Sequence, residues 1–306
     1  KVVINDLYFN SNYKITDAGL RNGYNLLIKN VNSDGNNSLN YKNKLDQRLF
    51  SIVEYNSTFP LQKKSTHYNN IFKPMLSLRY SPNNSKDLRE EETRIDTNNI
   101  FSLNRLSKND IVESGASMTY GVEFTKTNIE AIDIIDIKVA NVIRAKEEKN
   151  LPRSSSLGKK SSDIFGSLNY NPNQYVSTGY DFALKNNLKE NNYEIFKSQL
   201  KINNFVTSFE YLNENNTKGK ESFLSNKTAY TINNKTNLSF ETRKNKKTKL
   251  TEFYNLIYQY QNDCLVAAIE YNKDYYNDRD LKPEENIFIK LTIIPFGETR
   301  SPSFKK

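Results

Sequence analysis

Tyr254-Asn255-Leu256-Ile257-Tyr258-Gln259-Tyr260, Leu265-Val266-Ala267-Ala268-Ile269-Glu270-Tyr271 and Ile287-Phe288-Ile289-Lys290-Leu291-Thr292-Ile293 follow one another within residues 250–294. In each, large or apolar side chains recur at every second position: Tyr254, Leu256, Tyr258 and Tyr260, then Leu265, Ala267, Ile269 and Tyr271, then Ile287, Ile289, Leu291 and Ile293. Asn255, Gln259, Glu270, Lys290 and Thr292 take alternate places. Successive strand side chains point to opposite faces, so each segment has one continuous apolar face and one polar or mixed face. That is the pattern of a membrane strand with lipid on one side and a wet lumen on the other.

Only 36% of the 306 residues are hydrophobic and the mean hydropathy is −0.76. No window approaches the roughly 18 consecutive apolar residues of a membrane helix, which excludes a helical membrane protein. A barrel survives this test, because only alternate residues meet lipid and long loops dilute the average. The chain has 20 Tyr, 17 Phe and no Trp. Tyr suits interfacial girdles, with a body that packs on acyl chains and a hydroxyl that reaches headgroup water. It is also a good strand former in any sheet, and both readings stay open. A net charge of +9 suits an anionic partner, but Lys and Asn are spread throughout, so no nucleic-acid partner is expected. One cysteine, Cys264, cannot make an internal disulfide. Nothing after Lys1 resembles a basic, then apolar, then small-residue secretion signal; the chain is expected to be an internal or C-terminal piece of a longer precursor.

Alternating runs bounded by Asn, Asp, Gly, Ser or Pro predict about fifteen strands. They lie near residues 1–10, 17–30, 45–59, 71–81, 113–126, 130–146, 162–170, 175–185, 193–202, 205–213, 222–232, 236–244, 249–260, 264–275 and 285–295. A soluble sandwich alternates too, so connection lengths carry the choice. Residues 171–174, 203–204, 233–235 and 261–263 are short connections; 186–192, 213–220, 243–249 and 276–284, between and after them, are longer. Every second connection of an up-and-down barrel lies on one side, and outer-membrane barrels pair short periplasmic turns with long external loops. A Greek-key sandwich has no reason to keep that order. The predicted fold is therefore all-β: part of an antiparallel up-and-down transmembrane β-barrel. The turn at Cys264 falls on the periplasmic side and Asn83–Val112 is an external loop. Ser11–Thr16 and Pro60–Asn70 are long for periplasmic turns.

A set of motifs adds a resemblance. Lys73-Pro74-Met75-Leu76-Ser77-Leu78-Arg79-Tyr80-Ser81-Pro82, Asp96, Asn99-Ile100-Phe101-Ser102-Leu103-Asn104-Arg105 and the run from Glu113 to Tyr120-Gly121 resemble the barrel core of the LPS-assembly protein LptD family, also called organic solvent tolerance proteins. Tyr260-Gln261-Asn262-Asp263-Cys264-Leu265, Asp278-Arg279-Asp280-Leu281 and the strand from Ile287 to Pro295 fit the same pattern. The resemblance implies a very large outer-membrane barrel behind a periplasmic jellyroll. Residues 1–296 would be the C-terminal portion of that barrel and 297–306 a periplasmic tail. Lipopolysaccharide would arrive from an LptA-like bridge and leave sideways into outer-membrane lipid between the first and last strands, with an LptE-like lipoprotein plugging the lumen. The fragment alone is expected not to close, since an open sheet edge in hydrocarbon leaves backbone groups unsatisfied.

The resemblance also implies roles. Cys264 would form a disulfide with a cysteine outside this fragment, in an oxidising periplasm; a lone Cys is otherwise a small buried hydrophobe. The last strand, with Ile287, Ile289, Leu291, Ile293 and Pro295, would be one lip of the lateral gate. Pro295 lacks the N–H that a ladder needs, though it also serves simply to end a strand. Asn99, Phe101, Asn104 and Arg105 match the external-loop motif, and Asn104 and Arg105 are expected to order that loop by hydrogen bonds. His67 is read as a solvated turn residue, and Asp87, Glu90, Glu91, Glu92 and Asp96 as a solvated loop rather than a cation site. No metal, cofactor or catalytic set is expected. A general porin or receptor barrel is the alternative function, and a secreted β-rich adhesin or fibre a third; the apolar row Ile287–Ile293 argues against the last.

Overall fold

Period-two alternation favours extended backbone whenever a neighbouring strand takes up its hydrogen bonds, and most of the described residues do this. A computed structural model describes residues 1–35, 38, 41–82, 86–106, 108–216, 219–275, 284–294, 297–300 and 304–305. In chain order the strands are β1 (Val2–Asn10), β2 (Lys14–Ile15), β3 (Arg21–Ser33), β4 (Asp46–Thr58), β5 (Leu61–Lys64), β6 (Tyr68–Ser81), β7 (Gly115–Asn128) and β8 (Asp133–Arg144). Then come β9 (Ile164–Asn173), β10 (Val176–Leu184), β11 (Asn191–Ile202), β12 (Phe205–Asn216), β13 (Gly219–Asn233) and β14 (Thr236–Asn245). The last are β15 (Thr251–Gln261), β16 (Leu265–Asp274), β17 (Glu284–Ile293), β18 (Gly297–Arg300) and β19 (Phe304–Lys305). One 3-10 turn, Arg153–Ser155, is the helical content of the described residues. The fold is an all-β, antiparallel, up-and-down sheet, and each of the anticipated strands is present.

The differences are local. β2 and β5 fold back on β3 and β6, so the long connections at Ser11–Thr16 and Pro60–Asn70 carry short strands of their own. The run 213–220 is mostly strand, since β12 continues to Asn216 and β13 starts at Gly219. Once register is set, ladder hydrogen bonds do not need apolar side chains, so the polar residues Asn213-Glu214-Asn215-Asn216 extend the strand without an alternation to announce it. Residues 297–306 contain β18 and β19, which both pair with β17.

The chain divides into two compact units, one of residues 1–168, 181–192 and 215–219, the other of 169–180, 193–214 and 220–306. In the second unit, pairing builds a row Tyr230–Leu238–Tyr258–Ile269–Ile289 across β13 to β17. On the opposite face lies Lys227–Glu241–Asn255–Asn272–Asn286. The first unit repeats this. Tyr24–Tyr55–Leu78–Met118–Ile143 form one row across β3, β4, β6, β7 and β8, while Asn25–Glu54–Arg79–Ser117–Arg144 form the row behind it.

Burial is inverted relative to a water-soluble sheet. Arg79, Arg144, Glu54 and Lys29 are buried, while Leu49, Val53, Tyr80, Tyr258, Ile269 and Ile289 are exposed. A small apolar cluster of Leu27, Val31, Phe50, Ile52 and Val112 forms on the polar-row face of β3 and β4, where a loop packs against it. Exposed apolar rows of this length are what a sheet presents to lipid.

Ile269, midway along β16, is 52% exposed. Ile269→Arg should cost about 2–4 kcal/mol if its row meets the bilayer, against roughly 0.5 kcal/mol or less on a solvated surface. Heat-modifiable gel mobility of the membrane-inserted parent protein distinguishes the two.

Candidate functional site

The connection between β6 and β7 does not extend away from the sheet. Leu88, Ile95, Ile100, Leu106, Ile111 and Val112, with Leu151 and Leu157 of the β8–β9 connection, are buried. The two connections are stitched together: the Leu88 N–H donates to the Asn150 carbonyl, the Arg153 N–H to the Arg89 carbonyl, and the Thr93 N–H to Ser154 Oγ. Both lie against the face that carries Arg79 and Arg144.

At the contact between loop and sheet, Glu113 is 1% exposed and accepts from three guanidiniums. Arg105 binds it in a fork, Nε to Oε2 at 2.8 Å and Nη2 to Oε1 at 2.6 Å. Arg79 Nη1 donates to Oε2 at 3.1 Å, and Arg144 Nη1 donates to Oε1. Arg105 also donates to Thr119 Oγ1, Ser117 Oγ and the Ile100 carbonyl. Arg144 Nη2 donates to the Ser114 carbonyl. Loop residues 100, 105 and 113 are thereby tied to β6, β7 and β8. Burial alone would push the Glu113 carboxyl up, but the charges of Arg105, Arg79 and Arg144 outweigh it and lower it from 4.5 to about 2. A second buried carboxylate, Glu54, accepts from Ser77 Oγ at 2.6 Å and Asn25 Nδ2 at 2.7 Å. Lys29 pairs with Asp6 at 2.6 Å.

The loop-motif residues divide between these roles. Asn99 Nδ2 donates to the Arg94 carbonyl and its Oδ1 accepts from the Asp96 N–H, closing a local turn. Asn104 Nδ2 donates to the Ile111 carbonyl. Phe101 lies over Gly121 of β7: a Cβ there would stand 3.1 Å from the Phe101 ring tip and 2.6 Å from the Val139 carbonyl oxygen. Gly121 keeps a flat place in the strand for the ring. Sequence reasoning placed Arg79 and Glu113 only as members of a run and did not single out Arg144. The available signal was an arginine closing the run Val139–Ile143, which is apolar apart from Asn141.

Glu90 pairs with Arg153 at 3.0 Å, Glu91 with Lys108 at 2.9 Å and Asp87 with Arg89 at 2.7 Å. Among the described residues, no group of three His, Cys, Asp or Glu could hold a metal. His67 sits in the β5–β6 turn beside Tyr68.

Elsewhere, Cys264 is a free, exposed thiol in the tight turn between β15 and β16. Asn262 Oδ1 closes that turn by accepting the N–H groups of Cys264 and Leu265, and the Ile294 N–H donates to the Cys264 carbonyl. In β17, Ile287, Ile289 and Ile293 are exposed and Leu291 half-buried. β16 occupies one edge of β17; β18 pairs with Lys290–Ile293 and β19 with Asn286–Ile287. Pro295 and the Asp278–Leu281 motif lie outside the described residues.

The family model for LptD, LPS transport system D, matches residues 6–223, which includes the loop and every residue of the Glu113 cluster. No curated protein matches. Among solved structures, a mutant of Rh. blastica porin is 9% identical, with 92% of this chain and 96% of that chain covered and a TM-score of 0.34. A triple mutant of Rhodopseudomonas blastica porin is also 9% identical, at 94% and 99% coverage and a TM-score of 0.34. Likeness at that level says nothing about what the chain carries.

Glu113→Gln leaves three guanidiniums around a neutral amide. Removing one partner from a buried charge network costs about 3–5 kcal/mol, read as a lower melting temperature of the detergent-solubilised parent. Because the Glu113 carboxyl lies below its ordinary value, its contribution is intact at neutral pH, declines below 4.5 and is gone below about 2. The melting gap between wild type and Glu113→Gln should therefore narrow on acidification. Gly121→Val should displace Phe101, seen as faster protease cleavage within residues 86–112.

Proposed function

The chain belongs to the LPS transport system D family, and from that premise we propose that it forms part of the outer-membrane barrel through which lipopolysaccharide is assembled into the outer leaflet. The family is a transport component, so the work is conduction and gating rather than bond chemistry. Lipopolysaccharide joins long acyl chains to an anionic sugar head. A path that feeds the chains sideways into lipid while the head stays wet keeps charge out of hydrocarbon.

The observation that carries the reading is the paired rows, an apolar one exposed on one face and a charged or amide one on the other. A water-soluble adhesin would bury the first and expose the second. Asn83–Val112 is the external loop, and Cys264 faces the periplasm. β17 is one lip of a lateral gate, with Ile287, Ile289, Leu291 and Ile293 towards lipid and Pro295 near its end. Since β18 and β19 pair with β17, they move with that lip or release it when the seam parts. An LptA-like bridge would deliver lipopolysaccharide from the periplasm, and an LptE-like lipoprotein would plug the lumen.

Cys264 gives the direct test. On a non-reducing gel of the full-length parent from its own outer membrane, the wild type should migrate differently than after reduction, and Cys264→Ser should abolish that difference. Identical mobility in every lane would remove the assembly disulfide and leave a general porin as the stronger reading.

A further inference from the structure

We propose that the exposed face of β6, β7 and β8 carries a seat for one acyl chain of a phosphorylated glycolipid, the lipopolysaccharide of the outer leaflet. The proposal rests on the outer-membrane reading above.

The seat follows from register. Tyr55, Leu78, Met118 and Ile143 stand in one cross-strand row. The next row towards the Asn83–Val112 loop runs Val53, Tyr80, Ala116 and continues to Ala145, whose N–H donates to the Ala116 carbonyl at 3.1 Å. Two alanines thus sit where the surrounding positions hold Tyr, Leu, Met and Ile. The result is a depression of about 490 Å³ with Ala116 and Ala145 as floor and Tyr80, Leu78, Met118 and Ile143 as wall. Tyr24 and Tyr55, with rings 5.3 Å apart, close its far side. A flexible methylene chain can fill such a trough by van der Waals contact with its walls, which is what selects partners within lipid, where no apolar area is removed from water.

Charge selects the head. Lys146 directly follows Ala145, and Lys160, whose carbonyl accepts the Arg144 N–H, is its neighbour at the same strand end. Both are exposed. Among the nearby carboxylates, Glu148 is held by Ser114 Oγ and the Asn150 N–H, and Glu147 is exposed. The exposed ammonium groups of Lys146 and Lys160 favour a phosphate at the mouth of the apolar trough. The strand end lies at the external loop, which is the depth of outer-leaflet heads.

Met118→p-benzoylphenylalanine in the full-length parent, irradiated in cells, reads the occupant. Lipopolysaccharide should crosslink several-fold more strongly there than at Tyr258→p-benzoylphenylalanine, another lipid-facing position. Filling the trough with Ala116→Leu and Ala145→Leu should remove the excess, and Lys146→Glu with Lys160→Glu should reduce it while gel mobility stays that of the folded protein. Equal crosslinking at both positions, insensitivity to filling, or a glycerophospholipid as the crosslinked species would each overturn the seat. The transport reading fails separately, if depleting the parent leaves lipopolysaccharide at the cell surface unchanged.

Discussion

A carboxylate that is 1% exposed cannot remain charged without partners, and Glu113 has three. Each comes from a different part of the chain: Arg79 from β6, Arg105 from the loop, Arg144 from the end of β8. The arrangement is mutual. Without Glu113 the guanidiniums would repel one another in a dry setting, and without them burial would force Glu113 to take a proton. Buried ion networks are weak sources of net stability but strong determinants of which arrangement is tolerated. Here the tolerated arrangement is one in which the loop lies down on the sheet, with Phe101 over Gly121 and Val112 among Leu27, Val31, Phe50 and Ile52.

That arrangement also explains a local exception in polarity. Most of the charged and amide side chains share the face opposite the exposed apolar rows. On β3 and β4, however, Leu27, Val31, Phe50 and Ile52 occupy it too. They are apolar because a loop covers them, so this stretch of the polar face is a small core of its own. Lys29, on the same strand, is paired there with Asp6 of β1. In the first unit the polar face is dry and packed under the loop; in the second unit the polar face is rich in amides, with Asn255, Asn272 and Asn286 in line. The first kind of surface holds the loop between β6 and β7 in place.

Strand positions and the two faces were determined by the sequence alone. Alternation is a property of neighbouring residues, and a one-residue shift would exchange the faces, so Tyr258, Ile269 and Ile289 declare their side without any partner in view. Asn99, Asn104 and Arg105 were singled out by the family resemblance and not by any local pattern; Asn99 and Asn104 hydrogen-bond within the loop, to Arg94 and to Ile111. Arg144 was not singled out. It stands 31 residues from Glu113, and Arg79 stands 34 residues away on the other side. Nothing in either local run says that they converge. The extra length of β12 and β13 and the short strands β2, β5, β18 and β19 were hidden because backbone ladders persist on polar sequence. Convergence on one buried carboxylate depends on strand order, register and the path of a long loop together, and those exist only once the sheet has formed.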